Sequence, residues 1–210
     1  MPLPAQHLAL GMGHDDPGPH MLIYGVILAG GSGLRMGGAD KALMPLGGRT
    51  LLAHAIERVA PQVAQLAISA NGDAGRFAAF GLPVLPDTQV KGPLGGVLAA
   101  LDWAQGADAV VSVAVDTPFF PCDLVPRLCL AAGGIGMAMV QSGGHDHPTF
   151  ALWPLALRDA LRAFLDSGAK PRVRDFAQAH GVLRAVFTDD AAFHNLNTDA
   201  DLAHAEGLLA

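Results

Sequence analysis

The fold is decided by a stretch near the start of the chain, LIYGVILAGGSGLRMGGADK at residues 22–41. Its first part, Leu22 to Ala29, is almost entirely apolar, which predicts a buried strand. Five glycines follow within residues 30–38. A glycine-rich loop directly after such a strand exposes backbone N–H groups and has little steric bulk. This arrangement is suited to wrapping a chain of phosphates.

Two cations accompany the glycines, Arg35 within the loop and Lys41 just beyond it. A merely flexible turn would explain the glycines, but it would leave both cations and the preceding strand unexplained. Two common nucleotide-binding motifs are excluded. The dinucleotide fingerprint requires glycine where Met36 stands, and the Walker motif requires lysine after Gly38, where the chain has Ala39. The loop is therefore expected to bind phosphate in a different way.

Short aliphatic runs alternate with longer amphipathic segments along the rest of the chain. This alternation predicts an α/β protein, a three-layer α/β/α sandwich with a mostly parallel, mixed sheet. The predicted strands cover residues 22–29, 65–69, 83–85, 109–115, 136–141, 149–153 and 183–187. The predicted helices follow Thr50, cover 93–105, begin at Pro121, cover 154–166 and 173–180, and follow Thr198, whose partner in a capping box is Asp201. The strand at 109–115 is apolar throughout and is expected to be central.

Length and composition favour one domain, predicted for residues 21–210, after a flexible extension at residues 1–20. A hydrophobic content of 51% with 15% charged residues excludes disorder over most of the chain. A formal charge of −6 with scattered basic residues argues against nucleic acid as a partner. No apolar run approaches the ~20 residues that span a bilayer, and no secretory signal is recognised. We therefore expect no membrane association and a cytoplasmic location. Cys122 and Cys129 are expected to be buried thiols on one helix.

Four glycine or polar positions share one place in the predicted sheet. Each follows the carboxyl end of a strand: Gly30, Asn71, Asp87 and Asp116. Ligands of open parallel sheets bind at that edge, so these positions are predicted to form one site.

In the order and spacing of its motifs, the chain resembles the molybdenum cofactor guanylyltransferases, a family of nucleotidyltransferases. Their phosphate loop reads L-A-[GA]-G-x-x-x-R-M-G with a lysine shortly after. The matching segments are residues 28–37 with 40–43, 47–52, 87 with 92–96, 115–118, 147–152 and 195–198. The chain departs from the family at Ser32, where a basic residue is frequent, at Gly33, where serine is frequent, and at Gly95, where alanine is usual. The resemblance implies a Rossmann-like nucleotidyltransferase fold.

The same resemblance implies a reaction, the transfer of GMP from GTP to molybdopterin (Mo-molybdopterin) with release of pyrophosphate, and Mg²⁺ as cofactor. Transient contacts with molybdoenzymes or with proteins that deliver molybdopterin are also implied. Other substrate pairs remain open, namely CTP with molybdopterin or a nucleotide with a sugar phosphate. A nucleotide-binding module without catalysis is a further alternative. An NAD-dependent oxidoreductase is disfavoured by the broken fingerprint.

Three side chains are expected to carry the chemistry. Asp116, at the end of the central strand, is the natural Mg²⁺ ligand, because Mg²⁺ prefers carboxylates and completes its shell with waters and substrate phosphates. The alternative is an aspartate that caps the next helix. Lys41 is expected to meet the β and γ phosphates, and Arg35 to clamp a pair of phosphate oxygens; a surface lysine is the alternative for Lys41.

The resemblance assigns further binding residues. The nucleotide is expected to contact Leu28, Ala29, Gly30, Gly31, Asn71 and Asp87. Asn71 and Asp87 could instead each cap a helix. Relatives that use CTP tend to have alanine at Gly30, so the missing methyl is expected to leave room for the larger purine.

By analogy with the family, Asn195 and Asn197 face molybdopterin, although both could simply be turn residues. Arg172 is a looser match for a residue that holds the pterin phosphate. His145 and His147 lie in a glycine-rich hairpin and are expected to face solvent rather than bind a metal.

Overall fold

A seven-stranded sheet forms the centre of the protein, and helices cover both of its faces. The computed structural model describes residues 21–30, 40–87, 92–134 and 136–209. The predicted extension at 1–20 and the loop residues Gly31 and Arg35 lie outside the described residues. The predicted α/β/α sandwich is confirmed.

The elements follow the alternation of aliphatic and amphipathic segments in the sequence. The strands are β1 (Ile23–Leu28), β2 (Pro45–Leu46), β3 (Arg49–Thr50), β4 (Gln65–Ser69), β5 (Val84–Leu85), β6 (Ala109–Ala114), β7 (Ala138–Ser142), β8 (His145–Pro154) and β9 (Leu183–Phe187). The α-helices are α1 (Leu51–Val59), α2 (Pro93–Trp103), α3 (Leu124–Ala131), α4 (Arg158–Asp166), α5 (Val173–Ala179) and α6 (Asp199–Gly207). Short 3-10 helices cover Lys41–Leu43, Ala60–Gln62, Ala74–Phe80, Leu155–Leu157 and Ala191–Phe193.

The large sheet has the strand order β5-β4-β1-β6-β8-β7-β9. Its strands are parallel except β8, which runs antiparallel to both β6 and β7. Strand β6 occupies the middle position and is buried along its whole length, as its apolar sequence predicts. The sheet is therefore mostly parallel and mixed, and the carboxyl ends of β5, β4, β1 and β6 lie side by side.

Local capping explains where two helices begin. The Thr50 side chain accepts a hydrogen bond from the N–H of Ala53 at the start of α1. At the start of α6, Thr198 accepts a hydrogen bond from the Asp201 N–H, while the Asp201 carboxylate accepts one from the Thr198 N–H. Each cap satisfies backbone donors that the first helical turn leaves without partners. Both predicted caps are confirmed.

Several predicted element boundaries are wrong. The helix predicted at 154–166 begins at Arg158, after the 3-10 helix Leu155–Leu157. Strand β8 begins at His145 rather than at residue 149, because Gly143 and Gly144 form a tight turn with φ of 53° and 79° and the ladder resumes at once. The pairing of β7 with β8 is also irregular between Met139 and Val140, and the sequence gives no sign of this irregularity. Helix α3 begins at Leu124, three residues after Pro121.

The two cysteines do not share a buried helix face. Cys122 is exposed and precedes α3, whereas Cys129 is half-buried within it, and both thiols are free. Burial raises the pKa of the Cys129 thiol. In the ranges that the structure describes, no helix is long and apolar enough to cross a bilayer.

Candidate active site

The carboxyl edge of the sheet gathers the strand-end positions that the sequence singled out. Leu28, the last residue of β1, pairs with Ser69 of β4 on one side and with Ala114 of β6 on the other. The Ala29 N–H then donates to the Ser69 carbonyl oxygen at 2.9 Å, which carries the pairing one residue past the strand. Gly30 is exposed directly beyond this point. The chain therefore leaves β1 toward solvent at the edge where ligands of such sheets bind.

Lys41 and Asp116 meet at this edge. The Lys41 ammonium donates to Asp116 Oδ2 at 2.9 Å and to Asn197 Oδ1 at 2.6 Å. Both charged side chains are 23% exposed, so they are partly shielded yet reachable by a ligand. Lys41 opens a 3-10 turn whose N-cap is Asp40, and Ala42 within the turn is fully buried. The buried turn fixes the point from which the lysine side chain extends.

The segment around Asn195 and Asn197 is attached directly to the end of β6. The N–H of Leu196 donates to the carbonyl oxygen of Asp116 at 2.8 Å, and the Leu196 side chain is buried. The hydroxyl of Thr117, which is also buried, donates to Asn195 Oδ1 at 2.7 Å. Both asparagines are exposed residues, and these contacts hold them beside Asp116.

Asn71 and Asp87 form a second part of the edge, beyond β4 and β5. The Asn71 side-chain oxygen accepts a hydrogen bond from the Asp87 N–H at 2.8 Å. The Asp87 carboxylate lies against Gly95 in the first turn of α2, so closely that a Cβ added at Gly95 would stand 2.3 Å from either carboxylate oxygen. The glycine that departs from the family pattern thus makes room for Asp87.

A cleft of about 470 Å³ opens next to the two asparagines. Its lining residues are His145, His147, Asp190, Phe193, His194, Asn195, Asn197 and Asp201. Arg172, in contrast, is an exposed residue at the N-cap of α5 and does not line the cleft. The structure therefore does not place Arg172 at the cleft beside the two asparagines.

The two hairpin histidines differ in their surroundings. His145 is exposed as expected, but the expectation is wrong for His147, which is half-buried and stacks beside the Phe193 ring at 5.0 Å. The Ser142 hydroxyl donates to Asp190 Oδ1 at 2.8 Å and lies 2.7 Å from His147 Nε2, so this nitrogen must be the donor to Ser142. Burial lowers the pKa of His147, and the nearby Asp190 carboxylate acts in the opposite direction.

The donor set at the strand edge suits a divalent cation shared with a ligand. Among the residues that the structure describes, no group of three or more His, Cys, Asp or Glu side chains could enclose a metal. Asp116 instead offers one partly exposed carboxylate beside a lysine. A hard cation that keeps waters and takes phosphate oxygens as ligands needs few protein carboxylates, so the residues present fit such an ion.

Sequence reasoning missed one residue at this edge. Arg76, in the 3-10 helix after β4, donates to Asp40 Oδ2 at 2.5 Å and to the Asn71 carbonyl oxygen at 2.8 Å. It belongs to none of the recognised motifs. A single arginine in a polar segment gives no sequence signal that distinguishes it from a surface residue.

Comparison with known families identifies the relatives of this chain. Residues 25–183 match the model of the MobA-like NTP transferase domain. A molybdenum cofactor guanylyltransferase of Cereibacter sphaeroides is 56% identical over 191 residues, which cover 90% of this chain and 98% of that protein.

Solved structures support the fold. The molybdopterin-guanine dinucleotide biosynthesis protein A of Archaeoglobus fulgidus superposes with a TM-score of 0.72 at 20% identity, over 89% of this chain and 98% of that one. A Mycobacterium tuberculosis protein in complex with manganese superposes with a TM-score of 0.67 at 19% identity, over 89% and 99% of the two chains. At these identities the likeness shows a shared architecture.

Proposed function

Because the chain belongs to the molybdenum cofactor guanylyltransferase family, within the MobA-like NTP transferase domains, we propose that it transfers GMP from GTP to molybdopterin. An oxygen of the molybdopterin phosphate forms a bond to the α-phosphorus of GTP, the bond from that phosphorus to the β-phosphate oxygen breaks, and pyrophosphate leaves. Residues 21–210 act as the catalytic domain, with GTP and molybdopterin as substrates.

The observation that carries this proposal is the meeting of Lys41, Asp116 and Asn197 at the carboxyl edge of the sheet. Phosphoryl transfer of this kind demands positioning and charge neutralisation more than covalent catalysis. A lysine ammonium placed at this edge can neutralise charge that develops on departing pyrophosphate. Arg35, in the glycine-rich segment, is proposed to clamp phosphate oxygens. The backbone of Gly31 is proposed to contact the nucleotide as well.

The proposed cofactor is Mg²⁺, held by the Asp116 carboxylate. When bound there, the ion would act as a Lewis acid and neutralise phosphate charge. The Asp116 carboxylate would be the protein ligand of the ion, and waters and phosphate oxygens would supply its other ligands. The backbone of Asp116 is held in place just after β6, because its carbonyl oxygen accepts a hydrogen bond from the Leu196 N–H.

The nucleoside part of GTP is proposed to lie over Leu28, Ala29 and Gly30, between the end of β1 and the pair Asn71 and Asp87. Gly30 is exposed, and among the described residues the atom nearest to an added Cβ there is 4.0 Å away, which supports space for a purine. An amide and a carboxylate can pair with a purine edge and with ribose hydroxyls.

Molybdopterin is proposed to enter from the cleft beside Asn195 and Asn197. Amide groups both donate and accept hydrogen bonds, so they can pair with the polar edge of a pterin. The cleft adjoins the Lys41 ammonium through Asn197, which would bring an acceptor phosphate toward the α-phosphate of GTP. We place this reaction in the cytoplasm, with transient contacts to the proteins that deliver molybdopterin or receive the product.

The experiment measures pyrophosphate release from purified protein with Mg²⁺. GTP and CTP are each supplied with molybdopterin, and GTP is also supplied with a sugar phosphate. We expect release with GTP and molybdopterin to exceed that of every other pair by at least about tenfold, as expected for a site that hydrogen-bonds one base edge. A preference for CTP or for the sugar phosphate would contradict the proposal, and binding of GTP without turnover would point to a non-catalytic module.

A further inference from the structure

The Arg76 side chain connects two backbone segments at the active-site edge, the turn at Asp40 and the loop at residues 71–73. Its Nε donates to Asp40 Oδ2 at 2.5 Å, one terminal nitrogen donates to the Asp73 carbonyl oxygen at 2.5 Å, and the other donates to the Asn71 carbonyl oxygen at 2.8 Å. The guanidinium carbon also lies 4.3 Å from the centre of the Phe77 ring, which is fully buried. Directed hydrogen bonds and the ring contact together hold the guanidinium in one orientation.

One of these segments carries the catalytic lysine. Asp40 accepts Arg76 with Oδ2 and, with Oδ1, accepts the Ala42 N–H at 3.1 Å, which caps the turn that Lys41 opens. Any shift of Asp40 therefore shifts the backbone from which Lys41 reaches Asp116.

The other segment carries the proposed nucleoside-binding residues. The carbonyl of Asn71 accepts from Arg76, and the side chain of the same residue accepts the Asp87 N–H. Asn71 is exposed on the loop after β4, where the sheet ladder no longer constrains it. Arg76 supplies a link that the sheet does not provide.

We propose that Arg76 is a positioning residue that fixes the separation between the phosphate-binding turn at Lys41 and the nucleoside-binding loop at Asn71. This inference rests on the proposed function, since it assumes that one GTP molecule spans both segments. The guanidinium acts through Asp40 and Asn71 and need not touch the substrate. Its ion pair with Asp40 is only 24% and 26% exposed, which sets it apart from the screened pairs of the protein surface.

A link of this kind predicts a particular pattern of affinities. Guanosine alone and inorganic triphosphate alone each occupy one segment, so either fragment binds whether or not the separation is fixed. GTP must engage both segments at once and gains from having them preorganised. Removing the link should therefore weaken the whole nucleotide far more than either fragment.

The test measures the dissociation constants of GTP, guanosine and inorganic triphosphate, each with Mg²⁺, for the wild-type protein and for Arg76→Ala, Arg76→Lys and Asp40→Asn. For Arg76→Ala we expect the GTP constant to rise about tenfold and each fragment constant to change less than about twofold. Arg76→Lys should show a smaller rise, since lysine can keep a charge near Asp40 but cannot reach three acceptors in a fixed fork. Adding Asp40→Asn to Arg76→Ala should cost little more than Arg76→Ala alone.

Controls separate this pattern from other causes. Arg158→Ala removes an exposed pair with Asp159 on α4 and should leave all three constants unchanged. Thermal unfolding confirms that each variant folds; if Arg76→Ala does not, Arg76→Lys and Asp40→Asn carry the test. Unchanged GTP affinity in the folded Arg76 variants would overturn the inference. A loss of affinity for guanosine or for triphosphate as large as the loss for GTP would also overturn it, because it would mean that Arg76 contacts that part of the nucleotide directly. Failure of the wild-type protein to bind GTP would instead overturn the proposed function.

Discussion

The ammonium nitrogen of Lys41 lies 2.9 Å from Oδ2 of Asp116, although 75 residues separate them in the chain. Lys41 lies 13 residues beyond the end of β1 in the chain, and Asp116 lies just beyond the end of the adjacent strand β6. The parallel pairing of the two strands brings the residues to one edge. A bound nucleotide with its divalent ion would give each group an ionic partner of its own, so this pair marks the proposed place of the phosphates.

Gly30→Ala tests the base preference. An added methyl there meets no atom of the described residues closer than 4.0 Å, so the protein should fold normally. The methyl would instead narrow the space proposed for the purine. We expect the ratio of kcat/KM for GTP to kcat/KM for CTP to fall by roughly tenfold, within the range that one methyl contributes in a binding pocket. Steady-state pyrophosphate release with each nucleotide measures the ratio, and an unaltered ratio would remove the base-size argument.

Gly95→Ala tests the position of Asp87. The new Cβ would overlap the Asp87 carboxylate at 2.3 Å and force it away from α2. We expect KM for GTP to rise several-fold, by roughly 1 kcal/mol of lost binding, whereas thermal stability should hold because alanine favours helix over glycine. The matched control is Gly207→Ala in α6, where an added Cβ meets no atom within 4 Å in the part of the chain that the structure describes. Equal KM values for the two variants would show that Asp87 has no part in nucleotide binding.

His147 predicts a pH dependence of stability. Because burial lowers its pKa in the folded protein, the unfolded chain binds the proton more readily. Its contribution to stability is therefore complete above the unfolded pKa of about 6.5 and is lost as the pH falls through that value toward the lower folded pKa. We expect His147→Gln to flatten the fall in the free energy of unfolding between about pH 8 and pH 5. Denaturant titrations at several pH values measure this, and identical slopes for variant and wild type would contradict it.

Much of the architecture could be predicted from apolar runs alone. Strands β4 and β9 have the predicted bounds; Asn71 stands two residues after β4, and Gly181 stands two residues before β9. The start of β8 could not be predicted in this way. The register of β7 against β8 shifts after Met139, and β8 begins with the sequence HDHP at residues 145–148. The start of this strand therefore lacks the apolar run that would predict it.

Some residues of the candidate site could likewise be predicted from the sequence, and others could not. Asp116 could be predicted from its place after the central strand, and Lys41 from its place after the glycine-rich loop. The link through Arg76 could not, because it depends on how a loop after β4 packs against a turn 36 residues earlier. The burial predicted for Cys122 is wrong, because this residue precedes helix α3 and is exposed.

The measurement that tests the central claim most directly is pyrophosphate release from GTP, with molybdopterin and Mg²⁺, by Asp116→Ala. We expect kcat to fall by about a hundredfold or more, the scale of losing one group that stabilises charge in the transition state, with the folded structure retained in thermal unfolding. A folded Asp116→Ala protein that turns over at the wild-type rate would contradict the account.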